Sequence, residues 1–174
     1  MTALPPVPQI PVEGMPVQAE PPAPLASDLC WLLARASHAL MTEMTAALED
    51  LGLAPRSHTV LVTAMTGSYT QTELARIIGL DKTTMVVTVD ELEEAGLAER
   101  QPSKTDRRAR VIAVTSAGAR KVLAAEKVLD RVREDVLATL PEEDRQVFLR
   151  SLGRLACGRL SEPVACTQTV RRRG

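Results

Sequence analysis

The thiols of this chain are Cys30, Cys157 and Cys166, and its imidazoles are His38 and His58. Zinc sites draw such ligands from positions a few residues apart. Neither the cysteines nor the histidines show that spacing. The chain also has no nucleophile elbow, no Gly-rich phosphate loop and no ordered Ser-His-Asp set. An enzyme is therefore not expected, and no metal or other cofactor is expected. The marked chemistry is cationic. Arg100, Lys104, Arg107, Arg108 and Arg110 crowd into one short stretch against Asp106 alone. Clustered guanidinium and ammonium groups suit phosphate.

The elements around this stretch decide what it can reach. Leu97–Gln101 and Val111–Val114 are β-prone, and the polar residues between them read as a hairpin loop. Upstream, Thr70-Gln71-Thr72-Glu73 resembles a capping box. It opens a short helix carrying Leu74, Ala75, Ile77 and Ile78, which Gly79 closes. Asp81 caps a further helix to about Ala95, and Gly96 ends it. Helix, Gly-containing turn, helix and hairpin make a winged helix-turn-helix. At 100° per residue, Met85, Val89 and Leu92 share one side of the second helix. Thr83, Val87, Asp90 and Glu94 lie opposite, with Lys82 and Val86 on the flank. Val86 and Val87 either pack on another element or meet thymine methyls in a major groove, with Lys82 and Thr83 as polar contacts. Arginines at the hairpin tip would enter a minor groove.

Longer helices flank this unit. Leu29, Leu33, Ala36, Leu40, Met44, Ala47 or Leu48, and Leu51 recur every three or four residues from Asp28, predicting one amphipathic helix that ends at Gly52. Pro55 begins another, carrying Val60, Leu61 and Ala64. Thr115 is placed to cap a long helix. Its Gly118, Val122, Ala125, Leu129, Val132, Val136 and Leu140 approach a heptad seam. Pro141 would be the first residue of a last helix, with Glu142, Glu143 and Asp144 complementing its dipole.

The fold class is thus mainly α with a small β-hairpin wing. Residues 1–27 hold eight of the twelve prolines and no Lys or Arg, which predicts a disordered or polyproline-like arm. Residues 28–160 form the expected single domain, and 161–174 a flexible basic tail.

Composition narrows the partners. The net charge is -1 over 174 residues, unlike a histone-like protein. Trp31, Tyr69 and Phe148 are the only aromatics, too few for a protein that stacks single-stranded bases. An odd cysteine count fits reduced thiols and a cytoplasmic setting. No apolar run is long enough to span a bilayer. The N-terminus lacks the basic and apolar regions of a signal peptide.

Taken together, Leu51-Gly52-Leu53, Thr72-Glu73-Leu74-Ala75, Leu80-Asp81-Lys82-Thr83-Thr84, Val89-Asp90-Glu91-Leu92-Glu93, Gly96-Leu97-Ala98-Glu99-Arg100, Asp106-Arg107-Arg108-Ala109 and Val114-Thr115-Ser116-Ala117-Gly118 resemble the MarR family of bacterial transcriptional regulators. The resemblance covers about residues 28–160. It implies a homodimer in which 28–53 and 115–160 are dimerisation helices and 54–114 the winged helix-turn-helix. Double-stranded DNA is the implied partner, read as a pseudo-palindrome. Lys82, Thr83, Thr84, Val86 and Val87 would lie in the major-groove helix. Arg107, Arg108 and Arg110 belong to the wing, with Asp106 orienting the arginine at its tip. Arg56 and Thr72 would sit at helix starts near phosphate. Position 87 is often Arg in the family and is Val here, which shifts the expected contacts toward thymine methyls. Release by a small anionic or aromatic ligand is also implied, at a cleft lined by Trp31, His38, Arg56, His58 and Met65; the same residues read equally as core and ordinary surface. The region around Cys30 resembles the organic-peroxide-sensing branch, which makes this thiol either a redox switch or a structural cysteine.

Overall fold

The computed structural model describes residues 21–103 and 108–161. Lys104, Thr105, Asp106 and Arg107 at the wing tip, residues 1–20 and the tail from 162 lie outside the described residues. The chain divides into two compact units, one up to Ala46 and one from Ala47.

The first unit holds a single turn, α1 (Ala23–Ala26), and the helix α2 (Leu29–Ala47). One part of the proline-rich stretch is therefore helical, because Pro22 suits the start of a turn. Asp28 caps α2, its Oδ1 accepting from the Trp31 N–H at 2.6 Å. The expected continuous helix to Leu51 is not found. α2 stops at Ala47, and Glu49–Leu51 wind as a 3-10 turn before Gly52 at φ 56°. The apolar period runs through this break because one tight turn rotates the stripe by only about 60°.

The second unit contains α3 (Pro55–Met65), α4 (Gln71–Ile78), α5 (Lys82–Glu94), β1 (Ala98–Pro102), β2 (Arg110–Val114), α6 (Ser116–Ala138) and α7 (Glu142–Arg154). Local chemistry explains the starts. Thr70 and Glu73 form a full capping box on α4, and Asp81 accepts from the Thr84 N–H at 2.9 Å on α5. Pro141 is the cap of α7 rather than its first helical residue, since its ψ of 142° is extended.

β1 and β2 pair antiparallel with Arg100 opposite Ile112. At that pair the outward N–H groups find partners elsewhere. Ile112 donates to the Tyr69 carbonyl at 2.9 Å, and Arg100 donates to Glu93 Oε1 at 2.7 Å. One outer edge of the ribbon is thereby tied to the loop between α3 and α4, and the other to α5.

The core is aliphatic, as three aromatics require. Leu48, Val60, Leu61, Leu74, Met85, Val89, Leu92 and Ile112 are buried. The heptad-like seam divides in two. Gly118, Val122, Ala125 and Leu129 are buried in the chain's own core, whereas Val136 is exposed. On α7, Val147, Phe148 and Leu149 are exposed as well.

Gly118 marks the tightest approach. A Cβ there would lie 2.1 Å from the Leu97 carbonyl oxygen and 2.8 Å from a Val114 methyl. A backbone carbonyl cannot swing aside as a side chain can. Gly118→Ala is therefore expected to destabilise the protein by about 1–3 kcal/mol through overpacking. Gly153, in α7, has nothing within 4 Å of such a carbon. Gly153→Ala is expected to raise stability by roughly 0.5–1 kcal/mol. Urea unfolding of both variants at one protein concentration checks the opposite signs.

Candidate nucleic-acid interface

α5 has the two faces that its sequence predicts. Met85, Val89 and Leu92 are buried, with Thr88 beside them. Lys82, Thr83 and Asp90 are exposed. Val87 is 50% exposed, so the reading that it packs on another element of this chain fails. Val86 is half-buried on the flank. An open valine in a polar stripe is a methyl surface that water solvates poorly. Thr84 is engaged locally, its hydroxyl donating to Asp81 Oδ2 at 2.5 Å. That hydrogen bond holds the Asp81 carboxyl below its usual range.

Arg56 and Thr72 are exposed in the first turns of α3 and α4. Arg108 and Arg110 are exposed at the far end of the wing. Arg107 and the orienting Asp106 lie outside the described residues. Arg100 departs from the cationic patch in which its sequence position puts it. Its guanidinium pairs with Glu93 and, at 2.6 Å, with Asp90, and it donates to Gln71 Oε1 at 3.0 Å. One of the five basic residues is thus neutralised inside the fold.

The expected ligand-lining residues belong to both units and differ in exposure. Trp31 is half-buried, with the Arg35 guanidinium carbon 5.9 Å from its ring centroid, and His38 is exposed, both on α2. Arg56 and Met65 are exposed on α3. His58 is only 3% exposed, and it faces α6. Its Nε2 lies 2.9 Å from Glu126 Oε1, an ion-pair contact. Glu126 is held from its other oxygen by Arg133 at 2.9 Å, and Arg133 also meets Asp130 at 2.7 Å. Burial pushes the His58 imidazole below its ordinary value of 6.5, against the pull of Glu126. The Arg133 hydrogen bond holds Glu126 below 4.5.

This cluster was not visible in sequence. Its one signal is that Glu126 adjoins the buried Ala125 on α6, a flank position where a carboxylate needs a partner. A cleft of about 440 Å³ was also unforeseen. It opens between the end of α3 and the wing, lined by Ala64, Gly67, Ser68, Gln101, Pro102, Ser103, Val111, Ile112 and Ala113. None of the expected ligand residues lines it. Cys30 is exposed in the first turn of α2. Among the described residues, no helix is long and apolar enough to cross a membrane.

Residues 50–109 match the model of the MarR family. A MarR-family transcriptional regulator from Rhodococcus sp. RHA1 is 31% identical, with a TM-score of 0.70 over 76% of this chain and 94% of that one. CouR from Rhodococcus jostii RHA1, bound to p-coumaroyl-CoA, is 30% identical with a TM-score of 0.69, over 82% and 97% of the two chains. The transcriptional repressor CouR bound to a 23-mer DNA duplex gives 26% identity and a TM-score of 0.72, over 80% and 99%.

The buried pair sets a pH dependence. A histidine depressed in the fold binds its proton more readily when unfolded. Stability is therefore lost as pH falls below 6.5, and Glu126 adds a second loss below 4.5. His58→Gln is expected to flatten the loss just below 6.5 and to keep the loss below 4.5. Urea midpoints measured across this pH range check both windows.

Proposed function

The chain belongs to the MarR family of transcriptional regulators, and from that premise we propose that it is a homodimeric repressor of its own or neighbouring genes. It reads a pseudo-palindromic duplex and is released by a small anionic or aromatic ligand. The observation that carries this reading is α5. Its buried face is locked into the core, while Lys82, Thr83 and Val87 form an open polar-and-methyl stripe. That stripe fits a major-groove edge with thymine methyls. Residues 54–114 supply the DNA-reading part, and 28–53 with 115–160 the dimerisation helices. The exposed Val136, Val147, Phe148 and Leu149 support a second copy as their cover. In such a dimer the two α5 helices would meet half-sites about one helical turn apart. CouR, which binds both DNA and p-coumaroyl-CoA, supports an anionic aromatic effector here.

Fluorescence anisotropy with the duplex upstream of its own gene tests the reading. Binding is expected to weaken steeply with salt. Arg107→Ala with Arg108→Ala is expected to weaken it about tenfold or more, lowering the salt slope by ~1 for each phosphate no longer neutralised. No binding at low salt, or no change in the double variant, overturns the reading.

The exposed thiol favours one second reading, a regulator switched by oxidation of Cys30. Peroxide should then release DNA from the unaltered protein and leave Cys30→Ser bound. Release from Cys30→Ser as well rejects the switch.

A further inference from the structure

Arg100 belongs by position to the cationic stretch, yet its partners are acidic and amide groups on two helices. Nη1 donates to Glu93 Oε2, Nη2 donates to Asp90 Oδ1 at 2.6 Å, and both Nε and Nη2 donate to Gln71 Oε1, at 3.3 and 3.0 Å. The Arg100 backbone N–H donates to the other Glu93 oxygen at 2.7 Å. One planar group thus joins the first residue of α4, the C-terminal half of α5 and the first strand of the wing.

The remaining contacts of α5 are of another kind. Met85, Val89 and Leu92 adhere to the core through aliphatic surface, which is non-directional. Such packing holds a helix down but tolerates small rotations and slides. Groove reading does not tolerate them, since a site must hold within about 0.5 Å and 10–20° of its working geometry. The Arg100 fork is directional, because its donors are fixed in one plane. Asp90 lies one turn beyond Val87 on the open side of α5, so the fork grips the reading face itself.

We propose that Arg100 is a positioning residue for duplex recognition, setting the angle of α5 against α4 and the wing through Gln71, Asp90 and Glu93. It does this instead of contacting phosphate. The inference rests on the DNA-binding reading above, and it makes a prediction whose sign is unusual. Removing a carboxylate near DNA ordinarily tightens binding by lessening repulsion. Here Glu93→Gln should weaken binding, because it loosens the fork and the wing strand together.

The experiment is duplex binding by Glu93→Gln, Arg100→Lys and the unaltered protein across a salt series, with thermal unfolding alongside. Glu93→Gln is expected to bind about fivefold or more weakly, with a salt slope unchanged to within less than the ~1 that one neutralised phosphate contributes. Arg100→Lys keeps the charge but cannot span all three partners, so it too should weaken binding. Hydrogen exchange without DNA should show faster exchange at the Arg100 amide in Glu93→Gln, while amides of α6 stay as they were. Tighter binding by Glu93→Gln, unaltered binding by Arg100→Lys, or a slope lowered by about one in Arg100→Lys overturns the proposal. Failure of the unaltered protein to bind any duplex rejects the function instead, and the exchange result still decides whether the fork orders β1.

Discussion

At the start of α6 the backbone passes so near the Leu97 carbonyl that only a glycine fits, and the other attachments of the winged unit are arranged around that approach. Gly118 brings the helix in. Thr115 then serves three groups at once. Its N–H donates to the Leu97 carbonyl at 3.1 Å, its hydroxyl donates to the Gly96 carbonyl at 2.8 Å, and its oxygen accepts from the Gly118 N–H at 3.0 Å. The end of α5, the first residues of the wing and the start of α6 share one knot of main chain. The knot fixes where the chain leaves α5, and the angle of α5 against α4 is left to side chains.

Much of this was legible in the sequence, and what was legible was local. Thr70 with Glu73, Asp81 and Thr115 announce helix starts because capping acts over three residues. The side assignment of α5 held for Met85, Val89 and Leu92 because a buried helix face repeats every turn. Long-range pairings were not legible. Arg100 reads as part of a cationic patch because its partners sit on other elements, Gln71 on α4 and Asp90 and Glu93 on α5. The acidic run on α5 and the basic run on the wing look like sorted charge in one dimension, and folding brings Arg100 from the second onto Asp90 and Glu93 of the first. The seam from Gly118 was misleading for a related reason. An apolar stripe of period three and four states that a face is covered, not whether the chain itself or another copy covers it.

The net charge of -1 takes on a different meaning in this light. The fold spends Asp90 and Glu93 on Arg100, and Glu126 and Asp130 on Arg133. Each guanidinium offsets one of the two carboxylates it holds, and the other charge remains in the field that an approaching polyanion would meet. The stripe of α5 ahead of Asp90 carries one charge, with Lys82 at its start and Val87 further along. A surface of this kind draws little from general attraction to phosphate and more from the fit of methyls and hydroxyls to base edges.

The winged unit and α6 are joined at points of unequal strength. The Gly118 approach is backbone on backbone. Further along α6, Lys121 donates to the Leu51 carbonyl at 2.7 Å, a single charged hydrogen bond. Beyond that, the buried His58 imidazole faces Glu126 across 2.9 Å, a contact in which burial works against the charged form of the imidazole. Apolar packing nonetheless continues past this contact, since Ala125 and Leu129 are fully buried on either side of Glu126. The aliphatic face of α6 therefore holds it to the core along that length, and the polar contacts set its register.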